Sequence, residues 1–149
     1  LISCCPHLTR LELRDSNELS DDVIEQTKWP QELQELDIQN TSITARGLHA
    51  ILQACPKLQV LHVEACQNIS HLDLMRMQMP KSLVDITYTP VWKVCRNIAE
   101  LCQQATEEHP SCVALTIAAV AFLESNEHAN KLQAQKWLEA ALNINPQFI

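Results

Sequence analysis

The sequence predicts a repetitive α/β solenoid of about four strand–helix units, followed by an α-helical segment. Three observations predict it. Leu8, Leu33, Leu58 and Leu83 stand 25 residues apart, and a period of this length fixes a stacked architecture. The text after each leucine recurs as L-x-x-L-x-(L/I/V): LTRLEL from Leu8, LQELDI from Leu33, LQVLHV from Leu58 and, more loosely, LVDITY from Leu83. Pro6, Pro30, Pro56 and Pro80 precede these runs, and proline stops a helix and biases its neighbour to extended geometry.

Each unit reads as a short strand, a turn and a helix. In the first, Leu8, Leu11 and Leu13 point inward, and Ser20-Asp21-Asp22 offers an N-cap with carboxylates in the first turn, where the helix dipole favours them. Its helix is predicted over Asp21 to Lys28, before Pro30. In the second, Leu33, Leu36 and Ile38 are inward. Thr44 caps a helix to about Cys55, with Leu48, Ile51 and Leu52 on its buried stripe. In the third, Leu58, Leu61 and Val63 are inward, and Ser70 caps a helix ending before Pro80. The fourth supplies Leu83, Ile86 and Tyr88 and stops at Pro90.

After Pro90 the period breaks. Helices are predicted over about Val91 to Glu108, Ser111 to Ser125 and Ala129 to Asn143. Ser111 serves as a cap, and a polar linker covers Ser125 to Asn130. The last helix carries Leu132, Ala134, Leu138, Ala141 and Leu142 on one face. The expected domains are therefore 1–90, the repeats, and 91–149, a helical cap or the start of a longer helical array. In the cap reading, Val91, Val94, Ile98 and Leu101 dock on the open end of the solenoid.

Composition narrows the function. The chain has 149 residues, 46% of them apolar, and a net charge of −7. An acidic balance argues against nucleic acid, which requires a basic footprint, and against an anionic membrane surface. The longest apolar run, Val113 to Leu123, falls short of the roughly 20 residues a membrane span needs. Gly47 is the one glycine, which excludes a phosphate-cradling loop or dinucleotide fingerprint. No cofactor and no catalytic motif are expected, so the function is binding rather than catalysis. Seven cysteines without regular pairs make a poor disulfide framework and suit a reducing compartment, the cytoplasm or the nucleus. LISCCPHL at the start shares its text with ILQACPKL at residues 51–58, so the chain is expected to begin inside the tail of an earlier repeat.

Residues 1 to about 90 resemble the cysteine-containing subclass of leucine-rich repeats. The third repeat carries the subclass pattern as Leu58, Leu61, Val63, Cys66, Ile69 and Ser70, and the helix ends supply Cys5-Pro6-His7-Leu8 and Cys55-Pro56-Lys57-Leu58. Ser16 and Thr41 stand at or near the cysteine position in the first two repeats. The last helix resembles the second helix of a tetratricopeptide repeat, with Ala134, Leu138, Ala141 and Pro146 at its spacing; an armadillo-like pair fits equally. Such leucine-rich repeats are best known in substrate receptors of ubiquitin ligases and in effectors imitating them. The resemblance therefore implies a protein-binding adaptor or receptor role.

In such a solenoid the strands line the concave side, and alternation assigns the outward positions. They form three columns: Arg10, Glu35, Val60, Asp85; Glu12, Asp37, His62, Thr87; and Arg14, Gln39, Glu64, Thr89. Neighbours within a column lie about 4.8 Å apart, so Glu12 and Asp37 are adjacent. Like charges side by side across strands disfavour the fold. Two readings follow: a binding surface for a basic protein or peptide, or a solvated face screened by water and salt. The expected partner contacts are Arg10, Glu12, Arg14, Glu35, Asp37, Gln39, Val60, His62, Glu64, Asp85 and Thr87. Charge reversal at Glu35 and Asp37 is expected to abolish binding while sparing the fold. The alternative is a scaffold that associates through its C-terminal helices.

The other candidate groups read as structural. A zinc site would need four converging ligands; Cys5, Cys55 and Cys66 occupy repeat positions that normally face the core and His62 faces outward, so the cysteines are expected to be structural. Cys95 and Cys102 share one helix face, and Trp92 and Trp137 read as packing residues.

Overall fold

The computed structural model describes residues 4–89, 103–104, 106–107, 111–124 and 128–147. Strands Arg10–Glu12 (β1), Glu35–Asp37 (β2), Val60–His62 (β3) and Asp85–Thr87 (β4) alternate with helices Asp21–Gln26 (α1), Ala45–Ala54 (α2) and His71–Arg76 (α3). Helices Cys112–Glu124 (α4) and His128–Ile144 (α5) follow. The strands form one parallel sheet in chain order. Its register pairs Leu11 with Leu36, Leu36 with Leu61 and Leu61 with Ile86, so the 25-residue period is the register of the sheet.

By packing, the chain falls into two compact units. The first takes the chain up to Ser70 together with Gln78–Thr89; the second takes His71–Met77 and the chain from Pro90 on. The third helix of the period, α3, thus clusters with the C-terminal helices. In the first unit Leu33, Leu36, Ile38, Leu58 and Leu61 are wholly buried. Leu8, Leu11 and Leu13 are only half-buried: among the described residues β1 is an edge strand, paired on its β2 side alone.

The helix starts follow the expected chemistry. Ser20 accepts from the Val23 amide at 3.4 Å, and Thr44 accepts from the Arg46 amide at 3.1 Å, each satisfying an otherwise orphaned donor of the first turn. Helix α1 ends at Gln26, short of the expected Lys28. Thr27 turns extended there, and its hydroxyl donates to the Val23 carbonyl at 2.6 Å. The Trp29 indole is buried and donates to the Ile24 carbonyl at 3.1 Å.

A carboxylate joins α1 to α2. Asp21 is buried and accepts from the Thr44 amide at 2.9 Å and the Thr44 hydroxyl at 2.6 Å, with Arg46 Nε at 3.4 Å. Burial alone would raise this carboxyl's pKa, but the Thr44 and Arg46 hydrogen bonds outweigh it and hold it below its ordinary value. Gly47 sits against this site. A Cβ there would collide with Asp21 Oδ1 and stand 3.1 Å from Asp21 Cγ.

In the second unit α3 packs on α4 and α4 on α5. Helix α4 buries Val113, Ala114, Leu115, Ile117, Ala118, Ala119 and Phe122. Such all-round burial marks a central helix. Ser111 caps it, accepting from the Ala114 amide at 3.0 Å. Helix α5 turns Ala134, Trp137 and Ala141 inward. Trp137 meets Phe122 edge to face at 4.6 Å, and Cys112 Sγ lies 3.4 Å from the Ala141 carbonyl.

The expected face of α5 is corrected: Leu132 and Leu142 are exposed and Leu138 is half-buried. The large ring of Trp137, flanked by two alanines, sets the contact line instead. Helix α5 also starts at His128, earlier than the polar linker implied. The expected helix over 91–108, with Trp92, Cys95 and Cys102, lies outside the described residues apart from 103–104 and 106–107, which are helical.

Candidate interaction face

The register places the outward residues as expected: Arg10 beside Glu35 and Glu12 beside Asp37; Glu35 beside Val60 and Asp37 beside His62; Val60 beside Asp85 and His62 beside Thr87. The third column continues past the strand ends. There the Asp15 amide donates to the Gln39 carbonyl and the Asn40 amide to the Glu64 carbonyl, both at 2.9 Å.

Two arginines neutralise the β1 side of this face. Arg10 holds Glu12 at 2.8 Å and Glu35 at 3.3 Å. The Glu12 hydrogen bond, reinforced by the charge on Glu35, raises the Arg10 pKa above its ordinary value. Arg14 bonds to Asp37 and lies 3.7 Å from Glu12, standing between the two carboxylates that would otherwise repel.

Asp37 corrects the expected contact list. Its exposure is 2%, because Arg14 covers one oxygen while the other accepts from the Gln39 amide at 3.1 Å. Asp37 anchors Arg14 and the turn after β2, and offers no surface to a partner. A side chain this buried cannot change sign without leaving a charge short of partners, at a cost to stability. Reversing its charge therefore tests folding rather than binding.

The β3 and β4 side is different. Among the described residues Glu64 accepts from neutral donors, the Gln39 side-chain amide at 2.5 Å and the Thr87 hydroxyl at 3.2 Å. Asp85 has no cationic partner among the described residues. His62 lies between them, with Nδ1 at 2.8 Å from the Thr87 hydroxyl and Nε2 at 3.8 Å from Glu35. Val60, half-buried, is the one apolar residue among the outward strand positions. Among the described residues the surface therefore grades from an arginine-neutralised edge at β1 to carboxylates without cationic partners at β3 and β4.

The period also builds a rim beyond the charged columns. Asp15, Asn40 and Ala65 share a positive φ, at 60°, 51° and 57°, and Asn40 Nδ2 donates to Asp15 Oδ1 at 2.8 Å. Their common 25-residue spacing was the available signal.

The cysteines divide. Cys55 is buried, which pushes its thiol pKa up to about 11, and burial likewise raises that of Cys112. Cys66 donates to the Ile38 carbonyl at 3.1 Å and touches the Thr41 hydroxyl at 3.6 Å. Cys5, expected inside, is exposed; it precedes β1, the edge strand among the described residues. Among the described residues, no three His, Cys, Asp or Glu side chains converge to hold a metal ion. No helix among them is long and apolar enough to cross a membrane.

A parallel sheet in 25-residue register, with an outward charged face and a helix following each of its first three strands, defines a leucine-rich repeat module. The family model described as "FBD-associated F-box protein At5g56370, LRR repeats" matches residues 1–133, and the chain belongs to that family. Repeats of this kind are protein-interaction modules. The solved tropomodulin C-terminal domain of Caenorhabditis elegans has a similar fold, with a TM-score of 0.55 at 16% identity, covering 95% of this chain and 92% of that one. The comparison with curated proteins found no match.

Proposed function

We propose that the chain binds a basic protein segment on its concave sheet face, without catalysis. The observation that carries this reading is the pair Glu64 and Asp85, outward carboxylates with no cationic partner among the described residues. A lysine or arginine from a partner would supply the missing charge, with Val60 beneath its alkyl stem. Glu35 contributes from the shared side. Arg10, Glu12, Arg14 and Gln39 hold the neutral flank, and His62 and Thr87 lie at the centre.

The family description names an F-box protein. By that analogy the bound segment belongs to a substrate, and the chain acts as a receptor or adaptor of a ubiquitin ligase. The buried thiols of Cys55 and Cys66 support a reducing compartment, the cytoplasm or nucleus. A scaffold role is the second reading, favoured by Leu132, Leu142 and Ile144 exposed on α5.

The test is affinity capture with the intact chain and a Glu64→Lys, Asp85→Lys variant, with circular dichroism as folding control. A partner held by the intact chain and lost by the folded variant supports the concave face. Equal retention overturns it. A partner lost instead by Leu132→Glu, Leu142→Glu moves the interface to α5.

A further inference from the structure

We propose that α5 pairs with the α5 of a second copy of the chain, antiparallel, along a seam of Leu132, Gln135, Glu139 and Leu142. Helix α5 carries two stripes. Ala134, Trp137 and Ala141 are buried, and the last two touch Phe122 and Cys112 of α4. On roughly the other side, at about 100° per residue, Leu132 is 61% and Leu142 48% exposed, with Gln135 and Glu139 exposed between them. Their spacing of three, four and three residues is that of the a and d positions of a helix-pairing heptad. Ile144, also exposed, lies off this line. The seam uses no residue of the concave sheet face, so it stands apart from the binding of a basic segment there.

The order of residues along the seam selects both the occupant and its direction. Turning one helix end for end about a two-fold axis level with Trp137 brings Leu132 over Leu142 of the other copy, and Gln135 over Glu139. Each contact then occurs twice. Within one helix the Gln135 amide already donates to Glu139 at 3.0 Å, and the same donor and acceptor match across the seam. Lys131 and Lys136, both exposed, precede the axis, and Glu139 follows it. The reversal therefore sets Lys136 one residue level, about 1.5 Å along the axis, from Glu139 of the other copy. A parallel pair would instead set Glu139 on Glu139 and Lys136 on Lys136, like charges in contact. The helix is self-complementary in the antiparallel direction alone. Its 17 residues span about 25 Å, four contact layers at the low end of interface size, which suits a reversible dimer.

Sedimentation equilibrium of the purified intact chain, from about 5 to about 500 µM, tests this. A monomer at the low end should pass to a dimer at the high end. Leu132→Glu, Leu142→Glu, changed at exposed positions, should stay monomeric throughout with an unchanged circular dichroism spectrum. Glu139→Lys should weaken the dimer about fivefold, since one change sets like charges across the seam twice. Adding Lys136→Glu to it should restore the dimer. An intact chain that stays monomeric would overturn the proposal, as would a dimer indifferent to Leu132→Glu, Leu142→Glu. A double charge swap no tighter than Glu139→Lys alone would overturn the antiparallel direction, and the proposal with it. Glu64→Lys, Asp85→Lys should dimerise as the parent does, so loss of a basic partner and loss of the dimer are read separately.

Discussion

In the first unit, polar contacts step from repeat to repeat at one interval. Asn40 to Asp15, Lys57 to Glu32, Gln39 to Glu64 and His62 to Thr87 each span 25 residues. In the second unit the inter-helix contact is mainly apolar: alanines and an edge-to-face pair, Phe122 on Trp137, join α4 to α5 beside the single Cys112 to Ala141 contact. The first arrangement spreads stability over many modest contacts, as expected of a solenoid with nearest-neighbour coupling. The second concentrates it in a few side chains. The same substitution type should therefore have different consequences in the two units.

The largest effect is expected at Trp137. Replacing it with alanine removes the ring that sets the α4–α5 contact line, at a cost of about 3–5 kcal/mol. Hydrogen exchange should show protection lost first in α4 and α5. Loss appearing first in the β2 and β3 amides would break the contrast between the units.

Gly47→Ala comes next, in the first unit. In an exposed helix interior this change stabilises by about 1 kcal/mol. Here the new methyl collides with Asp21 and displaces its bonds to Thr44, so a loss of about 3 kcal/mol is expected from crowding and unmet hydrogen bonds. Denaturant unfolding decides between the two signs. An unchanged or raised midpoint would remove the Asp21 joint as a source of stability.

Acidification should separate the units in sequence. Burial lowers the His71 pKa, with Asp73 opposing in part. Below its unfolded pKa of about 6.5 the unfolded state takes up the proton that the folded ring resists, so this contribution is full above that pH and lost as pH falls. Asp21 is also depressed. Its contribution is present above the unfolded value of about 3.9 and lost only as pH falls through the lower folded value. Exchange in α3 and α4, corrected for intrinsic rates, should begin to quicken as pH falls below about 6.5 while α1 and α2 hold until below about pH 4. His71→Leu should flatten the first step. Simultaneous loosening of all four helices would contradict it.

How much of this was legible follows from where each feature is decided. The inward leucines, the Ser20 and Thr44 caps and the three outward columns depend on alternation and on local hydrogen bonds, so the residue pattern carries them. Asp37 was misread as a surface carboxylate because its burial depends on how Arg14, 23 residues earlier, folds back over it, and spacing does not encode a side chain's path. The stripe on α5 was misplaced for a related reason. Leu132 and Leu142 carry the hydrophobic signal, but steric fit chose Trp137 and two alanines. Cys5 reads like Cys55 in text, but one precedes the edge strand and the other an inner one.

The smallest expected effect tests the repeating order itself. Ala65 holds a φ of 57°, and a left-handed conformation costs a side-chain-bearing residue about 1–2 kcal/mol. Asparagine tolerates that region better, as Asn40 does one repeat earlier. Ala65→Asn should therefore stabilise by about 0.5–1 kcal/mol, raising Tm by roughly 2–4 °C in a domain of this size. Part of the gain should come from extending the series: the new amide would stand one period beyond Asn40, placed to donate to Asn40 Oδ1 as Asn40 donates to Asp15 at 2.8 Å. Ala65→Gly separates the two contributions, since glycine relieves the backbone without adding a donor and loses more chain entropy on folding. A glycine variant as stable as the asparagine one would assign the effect to φ alone. An asparagine variant no more stable than the parent would mean that inter-repeat hydrogen bonds on this rim contribute register and not stability. The first unit would then rest on its buried leucines, held together by the same kind of force as the second.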